Sequence, residues 1–197
     1  MNVLAHLLLS SPMPKYWLGN LMGDFVKGTP HPALGDAFIA SVMRHRAIDA
    51  FTDAHPAVRK SKQLFSPARR RFAGIILDVG YDYFLCRHWR LYSEIPLEIF
   101  ITAVYDGLAD YLLCPEARVA PPACRHMVER MIADDWLRSY QTLSGVGAAL
   151  DKLSRRLKRP NTLSGSVEEI AAHEGLLEAE FQQFFPERMV HIGQLPG

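Results

Sequence analysis

The chain has 197 residues, 49% hydrophobic and 22% charged, with a formal net charge of +1. That composition argues against intrinsic disorder, and the length fits one globular domain over residues 1–197, with two domains as the alternative, able to bury roughly 70% of its unfolded surface. Near-neutral charge gives no sign of a nucleic-acid partner, so electrostatic recognition must rest on local patches. Three cysteines, Cys86, Cys114 and Cys124, are odd in number and match no zinc spacing, which predicts reduced thiols in a cytoplasmic protein. The first residues form an apolar run without a basic flank, interrupted by His6. A signal peptide is not expected, and no run approaches the ~18 apolar residues of a membrane-spanning helix.

Helical periodicity runs through almost the whole chain. A short apolar helix is expected from Met1 to about Leu9. A second runs from Pro14, suited to a helix start, to Lys27, with Gly28 as its stop. After a loop from Gly28 to Pro32, a third helix should span Pro32 to Thr52, with Phe38, Val42, His45, Asp49 and Thr52 on one stripe. Asp53 to Pro56 reads as a turn, because proline pushes His55 out of helical geometry.

A short helix follows from Ala57 to Leu64. Ser66 and Pro67 then read as N-cap and first residue of a long helix to about Trp89. Further helices are expected from Pro96 to Leu113, Pro122 to Leu143, Gly145 to Leu157 and Ser166 to Phe184. The last opens with the capping-box pattern Ser166-Val167-Glu168-Glu169. The tail from Pro186 to Gly197 has no clear period. Strand alternation and internal repeats are missing, so the expected architecture is an all-α, single-domain helical bundle.

The chemistry-bearing residues concentrate in the first ninety positions. His45, Asp49 and Asp53 lie four apart, as do Asp78 and Asp82. On a helix this puts them on one face, where like-charged aspartates repel. Asp24, Asp78 and Asp82 also sit inside apolar stretches, where a charge is costly unless paired or metal-bound. Histidine with carboxylates in a helical bundle suits Mn²⁺, Mg²⁺ or Fe²⁺. The predicted metal-binding set is therefore Asp24, His45, Asp49, Asp53, Asp78 and Asp82. The alternative is ion pairing of Asp49 and Asp53 with Arg44 or Arg46, and of Asp78 and Asp82 with Arg71 or Arg87.

Two basic runs stand apart: Arg69, Arg70 and Arg71, and then Arg155, Arg156, Lys158 and Arg159. They fit either solvated helix faces or a docking surface for an acidic or phosphate-bearing partner. No glycine-rich phosphate loop and no nucleophilic serine or cysteine in a known setting is present.

Four ordered stretches carry a family resemblance: Met1 to Leu7, Leu18 to Gly28 with its Gly-Asn-Leu-Met-Gly-Asp core, His45 to Pro56, and Arg70 to Asp82 continuing to Leu85 and Trp89. In them the chain resembles the acyl carrier protein phosphodiesterase family. The resemblance is dense over about the first 90 residues. It implies an α-helical protein distantly similar to HD-type phosphohydrolases, a requirement for Mn²⁺ or another divalent cation, and holo-acyl carrier protein as substrate. The implied reaction hydrolyses the phosphodiester to phosphopantetheine, leaving apo-carrier. One departure stands out. Where the family commonly has histidine after Asp82, this chain has Tyr83, a poor ligand for such cations.

On this reading His55 is the expected proton acceptor for the attacking water, with His6 second. Arg44 or Arg46 would neutralise the phosphoryl oxygens, and the two basic runs would bind the acidic carrier. The alternatives are a phosphohydrolase acting on a small nucleotide and a non-catalytic helical interaction module.

Overall fold

The computed structural model describes residues 3–194. It is built from eleven α-helices among these residues, with short 3₁₀ turns and no strand. The first is α1 (Val3–Leu8), buried along most of its length. Pro14 starts α2 (Pro14–Leu21), which ends earlier than expected in a 3₁₀ turn over Met22–Asp24. Another 3₁₀ turn (Pro32–Leu34) and Gly35, at φ 78°, precede α3 (Asp36–Ala54). The third helix therefore starts four residues later than its sequence pattern suggests, since Gly35 takes a left-handed conformation that breaks it.

Then come α4 (Pro56–Gln63), α5 (Ala73–Arg87), α6 (Leu97–Leu113), α7 (Pro122–Ala133), α8 (Trp136–Ser139), α9 (Leu143–Arg156), α10 (Val167–Ala172) and α11 (Glu174–Gly193). Three differences from the periodicity have tertiary causes. Ser66 does not cap α5: its N–H and hydroxyl both donate to Glu169, and Thr162 Oγ1 donates to the Ala68 carbonyl. This ties the segment after Ser66 to the loop before α10 and delays α5 to Ala73. The same bonds remove Glu169 from the expected capping box, and Ser166 donates to the Leu163 carbonyl instead.

Asp135, at φ 49°, splits the helix expected from Pro122 to Leu143 into α7 and α8; aspartate tolerates this left-handed conformation better than most residues. Finally, α11 runs through Pro186 to Gly193 where an irregular tail was expected. Proline removes one helical hydrogen bond, but Phe184, Phe185, Arg188 and Ile192 are buried on this helix, and packing overrides local propensity. Residues 195–197 of that expected tail, and Met1 and Asn2 of the first helix, lie outside the described residues.

One apolar core runs from Val3 and Leu4 in α1 through Leu18, Ile76, Phe84 and Leu108 to Phe181 and Phe185 in α11. α2 packs on α3 and α6, while α11 lies across α3, α4 and α5. The 3₁₀ turn after α2 comes so close to α3 that a Cβ on Gly23 would stand 2.2 Å from the His45 ring. Only glycine fits there. No described helix is long and apolar enough to cross a membrane.

Candidate active site

α3 projects His45 and Asp49 from one face, one turn apart, and α1 brings His6 against them. His45 Nε2 lies 3.0 Å from Asp49 Oδ2, and His6 Nε2 lies 3.2 Å from Asp49 Oδ1. The two rings stack with centroids 4.2 Å apart. Asp24, on the turn after α2, places Oδ1 3.6 Å from His45 Nε2. His6 and His45 are buried, whereas the Asp49 side chain is 49% exposed and opens the group to solvent.

Asn20 on α2 organises both imidazoles. Its Oδ1 stands 2.8 Å from His6 Nδ1 and 3.2 Å from His45 Nδ1. Its Nδ2 donates to Ser10 Oγ, which donates to the His6 carbonyl. That network fixes the amide so that its oxygen accepts from both Nδ1–H groups, leaving both Nε2 atoms toward Asp49. Burial lowers the His6 pKa, and only part of that is offset by Asp49. Burial also opposes charge on His45, but Asp24 and Asp49 outweigh it and raise its pKa to about 9. Burial works against an ionised Asp49 as well; the two histidines outweigh it and hold the carboxyl well below the usual range.

The cluster borders a cavity of about 160 Å³ lined by Asp24, Asp49, Asp53 and Asp78, with Thr52 and Tyr81. His6, His45 and Asp49 each offer a ligand atom within 4.8 Å of the others. Two oriented imidazole nitrogens beside several carboxylates suit a divalent cation of the Mn²⁺ or Fe²⁺ type, so the donor set fits such an ion.

The structure thus gathers Asp24, His45, Asp49 and Asp78, with His6, around one cavity. It places the other candidates differently. Asp53 reaches the cavity rim but is 74% exposed and pairs with Lys62 at 2.8 Å. Asp82 is buried away from the cavity lining, and its oxygens accept from the Leu4 and Ala5 N–H groups at the start of α1. It anchors the helix that carries His6. His55 caps α4, accepting from the Ala57 N–H on Nδ1, and faces Glu187 with Nε2. Both of its nitrogens are engaged outside the cavity.

Arg44 donates to the Ile192 carbonyl and Arg46 to the Val26 carbonyl. Neither lines the carboxylate cavity. Arg87, the alternative ion-pair partner of Asp78 and Asp82, binds Glu174 and Glu178. Tyr83 joins that same surface network, donating to Glu174 Oε1.

Arg69 is a structural tie, donating to Glu169 and to the Thr162 and Ser164 carbonyls. This joins the first basic run to the loop that follows the second. Arg70, Arg71, Arg155, Arg156, Lys158 and Arg159 remain exposed, and Arg156 packs over the Trp136 ring. Two residues that the sequence reading missed are Asn20 and Arg188. Arg188 is fully buried on α11, stacks on Phe184 and Phe185, and donates to Thr52 Oγ1. Burial lowers its pKa to about 10, opposed by Asp82 and Asp78. It remains a buried cation behind the carboxylates.

Fold and site define an all-α protein with a histidine–carboxylate centre suited to a metal ion. A model of the family described as acyl carrier protein phosphodiesterase matches residues 1–188, and the chain belongs to that family. It is 35% identical to the acyl carrier protein phosphodiesterase of an Enterobacter species over 96% of each chain. Identity is 36% over 96% of each chain with that of Pectobacterium atrosepticum, and 34% over 98% with that of Escherichia coli. These relatives carry the name of a hydrolase, and the chain is an enzyme of that kind. No solved structure matches it.

Proposed function

We propose that the chain is a divalent-metal-dependent phosphodiesterase that removes phosphopantetheine from holo-acyl carrier protein, with Mn²⁺ as its preferred ion. The observation that carries this reading is the convergence of His6 and His45, both aimed by Asn20, on Asp49 at the edge of a carboxylate-lined cavity. His6, His45 and Asp49 would hold the ion, with Asp24 beside them. When bound there, a divalent cation supplies charge that polarises a phosphoryl oxygen and acidifies a water.

The chain's own residues do the rest. Asn20 keeps both Nε2 atoms directed at the centre. Asp78, on the same cavity wall and outside the His6–His45–Asp49 trio, takes the proton of the attacking water. Water oxygen bonds to phosphorus, the bond to the carrier serine breaks, and the serine oxygen leaves and takes up the proton that Asp78 received. The products are apo-carrier and 4′-phosphopantetheine. Arg188 balances the charge of the aspartates from behind the cavity.

Mass spectrometry of holo-acyl carrier protein incubated with the protein and Mn²⁺, with and without EDTA, tests this directly. Metal-dependent loss of the phosphopantetheine mass is expected. An unchanged carrier, with the protein folded and metal present, overturns the reading.

A further inference from the structure

A second cavity, of about 380 Å³, lies between α5 and α9 and is closed by α7 and α8. Its size falls within the roughly 300–1,000 Å³ of small-molecule sites. Its walls are mostly apolar. Ile75 and Val79, one turn apart on α5, face Ala148, Ala149 and Leu153 on α9. The α9 lining residues recur at three- and four-residue steps, so one helix face forms the wall, and its alanines keep the gap open. Ile75 is 37% exposed on a helix that buries the adjacent Ile76 and Leu77.

Two features connect this cavity to the chemistry. Asp24 lies on the wall of both cavities. Lys152 and Arg156 bring positive charge to the lining; Lys152 lies 3.6 Å from Asp134 on the same wall, and Arg156 belongs to the second basic run. A ligand spanning both cavities would present its anionic group near Asp24 and the centre, and the apolar groups of a neutral remainder to Ile75, Val79 and Leu153.

We propose that this cavity seats the pantetheine portion of the substrate, an inference that rests on the phosphodiesterase reading. Pantetheine is uncharged, with a geminal dimethyl group, two short methylene pairs and a terminal thiol, joined through two amides and a hydroxyl that the Ser139 and Tyr140 hydroxyls on the wall can partner. Its apolar groups gain by leaving water. Burial among the aspartates of the first cavity would instead strip those carboxylates of solvent, which is costly. The arm therefore belongs in the second cavity and the phosphate where the two meet.

Isothermal titration of the purified protein with pantetheine, inorganic phosphate and dodecanoate tests the assignment. Pantetheine is expected to bind, and Ala149→Phe, which fills the cavity, to weaken it by about tenfold or more. Ile75→Asp, at a partly solvent-facing position, is the second variant should Ala149→Phe not fold; it places a charge in the wall and should weaken binding similarly. Unchanged pantetheine affinity in a folded variant overturns the proposal. So does binding of dodecanoate or phosphate by a protein that ignores pantetheine. If pantetheine binds and the variants weaken it while the wild type leaves holo-carrier intact, the phosphodiesterase reading fails and the cavity assignment stands.

Discussion

His6 and His45, thirty-nine positions apart in sequence, stack at 4.2 Å and turn their Nε2 atoms to the two oxygens of Asp49. Neither ring would hold that orientation alone. The Asn20 oxygen accepts from both Nδ1 atoms, so one amide sets two tautomers.

Asn20→Ala removes that acceptor and frees both rings. Mn²⁺ affinity, measured by titration, should fall about 10- to 100-fold, the usual effect of losing such a supporting partner. The helical circular dichroism spectrum should remain. Unchanged Mn²⁺ affinity would show that the ion binds elsewhere.

His55 separates a structural from a catalytic role. As an N-cap of α4 it contributes about 1–2 kcal/mol. His55→Ala should therefore lower the melting temperature and leave kcat on holo-carrier near the wild-type value. His55→Asn, which restores a capping acceptor, should recover much of the stability. A loss of about 10²–10⁴ in kcat would instead mark His55 as the general base.

The two basic runs also divide. Arg155 and Lys158 are exposed, while Arg69 is held by Glu169 and two carbonyls. Reversing Arg155 and Lys158 to glutamate should raise KM for the acidic carrier at low salt and leave kcat unchanged, because rim charges steer association. Added salt should shrink the difference. Arg69→Ala should cost about 1–3 kcal/mol of stability, as expected for lost charged hydrogen bonds. Equal KM for wild type and the reversed variant at low salt would place the docking surface elsewhere.

How much of this was legible in the sequence depended on how local the cause was. His45 and Asp49 share one helix, so their four-residue spacing was sufficient. Asp24 betrayed itself as a charge in an apolar run. Asp82 obeyed the same spacing rule relative to Asp78, yet the start of α1 claims it, because spacing defines a helix face and not the element opposite. Asn20 is neutral, and its importance arises only where α1, α2 and α3 meet. Arg188 lay beyond a proline that argued against helix, and only the burial of α11 explains why the helix continues.

Asp82 also supplies a pH prediction. Burial raises its pKa from 3.8 to about 7, although the Leu4 and Ala5 N–H groups and Arg188 pull the other way. Between those values the folded protein holds a proton that the unfolded chain has released. The stabilising contribution is complete below pH 3.8 and is lost as pH rises through about 7. From pH 5 to pH 8 the loss is about 3 kcal/mol. Asp82→Asn cannot ionise, and its amide keeps one acceptor for the start of α1. Denaturant unfolding at several pH values should show the wild type losing stability relative to the variant across this window. Parallel curves would mean that Asp82 does not titrate there, and that its two N–H donors hold it as a carboxylate throughout.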